Sequence, residues 1–258
     1  MFEAKLDQAA TLKKIIDAIR DMLGECNFEC NETGIVLQSL DKSHIVLVSL
    51  LMGSDGFSEY RCDRTVTLGI NVSSLATVLR CGDPNDVLTL EAADGGDADK
   101  LKITFEDTKR DKISEYSITL MDIDQDYLNI PDTEYTASVT MPSEELQRIM
   151  RDFKTISDSV TIEVDKESIR FIADGDTKGK VTLRPHHDVE NDEKSIILNI
   201  SEPVKLSFNL SYFTNIAKSA SMSSTVKLML SADTPAEISY PLSTGHLKFF
   251  FAPKIDED

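Results

Sequence analysis

Apolar residues at Leu12, Ile15, Ile16 and Ile19 recur at i, i+3, i+4 and i+7, the stripe of a helix that buries one side. A shift of 134 residues lands the same spacing on Leu146, Ile149, Met150 and Phe153. The coincidence continues beyond the helix. Cys26, Phe28 and Cys30 fall on Val160, Ile162 and Val164, the turn Asn31 to Gly34 falls on Asp165 to Ser168, and Ile35 and Leu37 fall on Ile169 and Phe171. A second helix also recurs, at Asn71 to Arg80 and at Asn209 to Lys218, each with a Ser near its start as a cap and a base at its end.

Between and after these helices, runs of period 2 dominate. They cover Ile45 to Leu51, Val66 to Ile70, Val87 to Glu91, Leu101 to Phe105 and Ile113 to Leu120. In the second copy they cover Val181 to Leu183, Ser195 to Ile200, Val204 to Phe208, Val226 to Leu230, Glu237 to Tyr240 and Leu247 to Phe251. Gly, Pro, Asn and Asp separate them. The pattern predicts an α+β fold: two repeated domains, each of two helices packed on mostly antiparallel sheet.

One stretch lacks either period. Residues 120–135, LMDIDQDYLNIPDTEY, lie between the copies, which predicts domains at 1–119 and 136–258 with a linker at 120–135. Met121, Ile123, Tyr127, Leu128, Ile130 and Tyr135 make this segment more apolar than a free tether, so it is expected to lie on apolar surface.

With 258 residues, 41% of them hydrophobic and 28% charged, the chain has the composition of a globular protein with room for two cores. No run approaches the length of a membrane span, and MFEAKLDQAA carries acids where a signal peptide carries bases, so an intracellular protein without membrane contact is expected. Cys26, Cys30, Cys62 and Cys81 fit no paired metal half-sites; reduced core cysteines are expected, with Cys26 and Cys30 on the buried face of one strand.

A net charge of −18 argues at first against a nucleic-acid partner. Its distribution reverses that conclusion. The four helical segments carry Lys13, Lys14, Arg20, Arg80, Arg148, Arg151, Lys154 and Lys218 against Asp17, Asp21, Glu144, Glu145 and Asp152: eight bases, five acids, net +3, leaving −21 for everything else. These bases lie opposite the apolar stripes. Any one helix reads as a solvated face with local partners such as Lys13 with Asp17, but recurrence in both copies points to an anion-facing surface.

An acidic chain with two copies of one unit, basic helices and an apolar central linker resembles the eukaryotic DNA sliding clamps, the proliferating cell nuclear antigen family. The segments that carry the resemblance are MFEAKL at the start, Gln38-Ser-Leu-Asp-Lys-Ser-His44, Tyr60-Arg-Cys-Asp-Arg64, Leu120-Met-Asp-Ile-Asp124, Met141-Pro-Ser143, Arg151-Asp152, Gly245-His-Leu-Lys248 and Ala252-Pro-Lys-Ile255. It covers the chain from Met1 to the acidic tail.

The resemblance implies the DNA clamp fold, with three chains forming a closed head-to-tail ring, a homotrimer. Duplex DNA passes through the hole against the basic helix faces, gripped through phosphates without base readout. The strands expected to join subunits are Lys112 to Leu120 and Lys178 to Arg184, with Ile113, Tyr116, Ile118, Lys180, Val181 and Leu183 at the contact. Clients of the family carry a short motif with a Gln, an aliphatic residue and two aromatics. The positions matching its pocket are Leu40, His44, Ile45, Leu47, Leu128, Ile130, Tyr135, Pro235, Ala252, Pro253 and Ile255. Lys166 matches the site that takes ubiquitin or its relatives. Implied partners are DNA polymerase delta, the clamp loader, flap endonuclease, DNA ligase and other motif-bearing proteins in the nucleus.

Departures are local. Tyr127 and Asn129 stand where relatives often have a polar residue and Gly, and Thr77 and Ser211 where the helices are often basic. Asp122, Asp124 and Asp126 begin like a calcium loop, but Tyr127 replaces its Gly and Thr133 its bidentate Glu. Gly175-Asp-Thr-Lys-Gly-Lys180 is one residue short of a phosphate loop and reads as a hairpin turn. His186 and His187 beside Asp188 are a weak metal candidate. No catalytic constellation, metal site or cofactor is expected. The competing readings are an acidic hydrolase or calcium-dependent enzyme built on the Asp-rich linker, against which the defective calcium loop argues, and an acidic chaperone or scaffold with no DNA role, which leaves the basic helix faces unexplained.

Overall fold

The computed structural model describes residues 1–93, 99–125, 128, 130, 133–232 and 234–254. These form eighteen β-strands and four α-helices. They group into two compact units, the first made of Met1–Lys42, Val48–Leu128 and Leu242–Leu247, the second of Ser43–Leu47, Asn129–Pro241 and the chain from Lys248 onward.

The first half of the chain runs β1 (Phe2–Leu6), α1 (Ala10–Ile19), β2 (Glu25–Asn31), β3 (Gly34–Leu40), β4 (Val46–Gly53), β5 (Glu59–Cys62), β6 (Val66–Asn71), α2 (Val72–Leu79), β7 (Val87–Ala92), β8 (Lys100–Asp107) and β9 (Lys112–Thr119). Its strands pair in the orders β5-β1-β7-β8-β9 and β4-β3-β2-β6. The helices α1 and α2 lie beside one another.

The second half repeats this element by element: β10 (Ala137–Pro142), α3 (Ser143–Lys154), β11 (Ser159–Val164), β12 (Ile169–Asp174), β13 (Lys178–Leu183), β14 (Ile197–Ile200), β15 (Val204–Asn209), α4 (Leu210–Ala217), β16 (Thr225–Leu230), β17 (Ala236–Leu242) and β18 (Gly245–Phe251). The sheet orders β14-β10-β16-β17-β18 and β13-β12-β11-β15 are those of the first half. Strand partners are antiparallel in both, with Phe28 opposite Leu68 in the first and Ile162 opposite Leu206 in the second.

The predicted stripes are the packed faces. Leu12, Ile15, Ile16 and Ile19 of α1 and Leu146, Ile149, Met150 and Phe153 of α3 are all buried. Burial of such a side chain stabilises by about 1.5–3 kcal/mol, so four per helix hold a segment that is too short to persist alone in water. The second core adds an aromatic cluster, in which Phe251 contacts Phe208 at 5.0 Å and Phe213 at 5.9 Å between ring centroids.

Some expectations need correction. The caps of α2 and α4 are not serines: Asn71 Oδ1 accepts from Ser74 N and Asn209 Oδ1 from Ser211 N. Asn ranks with Ser as a cap, and its amide oxygen reaches the first turn from the last strand residue. Strands β1, β5 and β10 carried no expectation. Cys26 and Cys30 are buried on one face of β2 as expected, whereas Cys62 is half-buried and Cys81 exposed, so only two of the four belong to the core. Gly175 to Thr177 is the turn of the β12–β13 hairpin, closed by Gly175 N donating to Thr177 O.

Candidate nucleic-acid and peptide interfaces

Helix ends explain where the bases fall. Arg20, Arg80 and Lys218 are the C-cap residues of α1, α2 and α4, and Arg151 and Lys154 sit in the last turn of α3, whose first turn carries Glu144 and Glu145. Each cation therefore lies at the partially negative end of its helix. Lys14, Arg80, Arg148, Arg151 and Lys218 are exposed; Lys13, Arg20 and Lys154 are half-buried.

Several of these bases already hold an acid. Arg148 meets Glu145 at 2.7 Å, Arg151 meets Asp152 at 3.5 Å, and Lys154 meets Asp158 at 2.8 Å. Arg20 meets Asp17 at 3.6 Å and Asp21 at 3.8 Å. Asp17 thus pairs with Arg20 and not, as the helix spacing had indicated, with Lys13. The Lys154 ammonium holds the Asp158 carboxyl below its usual range, and the hydrogen bond from Arg148 to Glu145 raises the guanidinium further. Exposed pairs of this kind contribute little to stability, so a phosphate can displace the acid at little cost.

In the first unit, the segment after β9 is tied down at three points. Met121 N donates to Gly69 O on β6 at 2.8 Å, Asn27 Nδ2 on β2 donates to Ile123 O at 3.0 Å, and Gln38 on β3 holds Leu128. The carboxamide of Gln38 uses both ends: Nε2 donates to Leu128 O and Oε1 accepts from Leu128 N, each at 2.8 Å. The segment thereby crosses β6, β2 and β3 in turn. The Leu128 side chain is left 38% exposed, and Leu40 at the end of β3 is half-buried. Gly69, Asn27 and Gln38 were absent from the expected site; the available signal was a polar Gln interrupting the apolar run of β3.

In the second unit, Ser43–Leu47 runs beside the chain that follows β18, with Ala252 N donating to Ile45 O at 3.4 Å. His44 adopts φ 58°, a left-handed conformation that His tolerates better than branched residues, and its side chain is exposed. Ile45 is 36% exposed, while Leu47 is buried. Tyr135 donates its hydroxyl to Pro235 O at 3.2 Å, and burial, helped by the Glu237 carboxylate, pushes its phenol up to about 12. Ile130 and Pro253 are half-buried, Pro235 and Ala252 exposed. Ile255, Tyr127, Asn129 and Asp126 lie outside the described residues.

Strand edges carry the remaining candidates. β9 and β13 each end a sheet. Ile113 is 65% exposed on β9, whereas Ile118 is buried opposite Leu101 and belongs to its own unit's core, contrary to its expected place at a contact. Alternation along β9 accounts for this. Tyr116 packs edge-on against Phe105 at 5.9 Å. On β13, Lys180 is exposed and Val181 and Leu183 are half-buried. Lys166 is exposed at the tip of the β11–β12 turn, where Asp165 Oδ1 accepts from Glu167 N and Ser168 N, both at 2.9 Å; those bonds depress the Asp165 carboxyl.

Residues 1–128 match the N-terminal domain of proliferating cell nuclear antigen and residues 129–255 its C-terminal domain. The chain belongs to the proliferating cell nuclear antigen family. It is 48% identical over 260 residues to the proliferating cell nuclear antigen of Chaetomium thermophilum and 44% identical over 259 residues to that of Saccharomyces cerevisiae, covering the whole of each chain. Its function is that of a DNA sliding clamp, a processivity factor in DNA replication and repair. The family is one of non-enzymatic, homotrimeric clamps that bind DNA and polymerase or repair partners in a DNA-associated, nuclear role.

Proposed function

We propose that three copies of this chain close head to tail into a ring around duplex DNA, through pairing of β9 in one subunit with β13 in the next. Such a heterologous contact gives a ring only when its rotation closes. The bases at the helix ends meet phosphates. Every contact is weak, salt-sensitive and exchangeable, which lets a topologically trapped ring slide without reading bases.

The linker at 120–135 joins domains 1–119 and 136–258. Leu40, His44, Ile45, Leu47, Leu128, Ile130, Tyr135, Pro235, Ala252, Pro253 and Ile255 are the proposed contacts for the client motif. DNA polymerase delta, the clamp loader, flap endonuclease and DNA ligase are the proposed clients, in the nucleus. The chain itself performs no catalysis and needs no cofactor; Lys166 is the modification site. What supports this reading above all is the doubling of the fold, because it puts a base at the end of the same two helices in each half.

Light scattering behind a sizing column tests ring closure. A mass three times the 28.7 kDa chain, stable on dilution, is the expected result and leads directly to loading assays on circular DNA. A monomer at micromolar concentration would remove the basis for the DNA mechanism.

A further inference from the structure

Gln38 is 8% exposed, in an apolar strand where a polar side chain needs a reason. Its carboxamide finds both of its partners on one residue, the N–H and the C=O of Leu128. This is the two-bond exchange between paired residues of an antiparallel ladder, with a side chain in place of a strand. Gln125 adds a third bond, donating from its own carboxamide to the Gln38 carbonyl. The backbone at Leu128 is thereby fixed in register with β3, and its side chain stays at the surface.

We infer that Gln38 is a positioning residue for client binding: its carboxamide clasp fixes where the Leu128 side chain is offered and so sets the affinity for client peptides. The inference rests on the proposed role of the linker as the client surface. Ordering a loose segment during binding opposes affinity, and a segment ordered beforehand avoids that cost. Without the clasp the linker would still be held at Gly69, at Asn27 and by Gln125 on the Gln38 backbone carbonyl, but none of these bonds touches the backbone of Leu128, which would lose its register. Neither end of the clasp can be replaced by Leu, and a Glu carboxylate lacks the N–H that Leu128 O needs.

The test compares the full-length trimer with its Gln38→Leu and Gln38→Glu variants. One readout is calorimetric affinity for a synthetic peptide bearing a Gln, an aliphatic residue and two aromatics. The other is amide hydrogen exchange resolved at Leu128 and along β2 and β3. Both variants are expected to bind the peptide about tenfold more weakly, the scale of removing one or two hydrogen bonds. Exchange at Leu128 should accelerate while β2 and β3 keep their protection. Faster Leu128 exchange with unchanged affinity would overturn the positioning role and leave the linker reading intact. Loss of protection throughout β3 would equally overturn it, since the effect would then be one of general packing. Failure of the unmodified trimer to bind the peptide would instead sink the linker reading itself. Should Gln38→Leu not fold, Gln38→Glu alone decides, because its shape is preserved.

Discussion

The amide of Met121 meets the carbonyl of Gly69 at 2.8 Å, so the chain leaving β9 pairs with the outer edge of β6. The second unit uses the same device: after β18, Lys254 N donates to Ser207 O of β15 at 2.7 Å, and Lys254 Nζ reaches Ser159 Oγ at 2.6 Å. An open sheet edge is a template for unwanted pairing, and in both halves the outgoing chain covers it.

Gly69 is what permits this approach in the first unit. A Cβ at that position would lie 2.0 Å from Met121 O, a backbone atom with no room to yield. Gly69→Ala should cost about 1–3 kcal/mol, the usual range for overpacking, and should loosen the segment that follows Met121. Urea unfolding measures the first effect and hydrogen exchange at Met121 the second; an unchanged midpoint with normal protection would mean the edge pairing is dispensable.

Exposure decides which bases to change when DNA contact is probed. Arg80, Arg148, Arg151 and Lys218 are exposed, whereas Arg20 is half-buried against Asp17 and Asp21. Replacing Arg80, Arg148, Arg151 and Lys218 together with Glu should leave the melting temperature close to that of the unmodified protein while abolishing polymerase stimulation on circular DNA. With Ala instead, the dependence of log affinity on log salt should flatten by about 0.9 for each phosphate that is no longer neutralised. Full stimulation by the Glu variant would remove the helix faces from the DNA mechanism.

The helices and inner strands were legible because their faces are one-sided: burial of Leu12 to Ile19 at period 3.6 and of Cys26 to Cys30 at period 2 leaves a direct trace in residue type. Strand β5, Glu-Tyr-Arg-Cys, was not legible. It is a four-residue edge strand with no buried side chain, so nothing in its composition separates it from a loop. The inward direction of Ile118 was readable from alternation but was masked by the expectation of an interface. The linker's apolar residues announced that it lies on a surface, yet its anchors at Gly69, Asn27 and Gln38 are backbone and amide groups from distant strands. The Asn27 and Gln38 bonds span 96 and 90 residues, and hydrogen bonds between such distant segments leave no periodicity in the sequence.

The two isoleucines of β9 should respond differently to charge. Ile113 is 65% exposed, so Ile113→Asp is expected to keep the fold and yield monomers by light scattering, if β9 is the subunit edge. Ile118 is 7% exposed, and Ile118→Asp should cost about 3 kcal/mol or more and unfold the first unit before any effect on assembly can be read. A trimeric Ile113→Asp variant would move the subunit contact away from this strand.

Alkaline pH provides a test of the first unit's core that does not depend on assembly. Burial pushes the Cys26 thiol from its ordinary 9.0 up to about 12 and raises Cys30 from the same value. Both folded values lie above the unfolded one, so this contribution is fully present below pH 9.0. Above it, the unfolded chain releases thiol protons that the folded chain keeps, and stability falls as pH rises toward 12. Tyr135, raised by burial from 10.0 to about 12, adds the same sign in the second unit. The urea midpoint should therefore be level from pH 7 to about 9 and decline above it. Cys26→Val, which keeps the site apolar and removes the titrating group, should make that decline shallower without changing its onset from Cys30. An equal decline in the variant would mean that the Cys26 thiol ionises as readily inside the core as outside it, and that β2 opens to solvent well below the global transition.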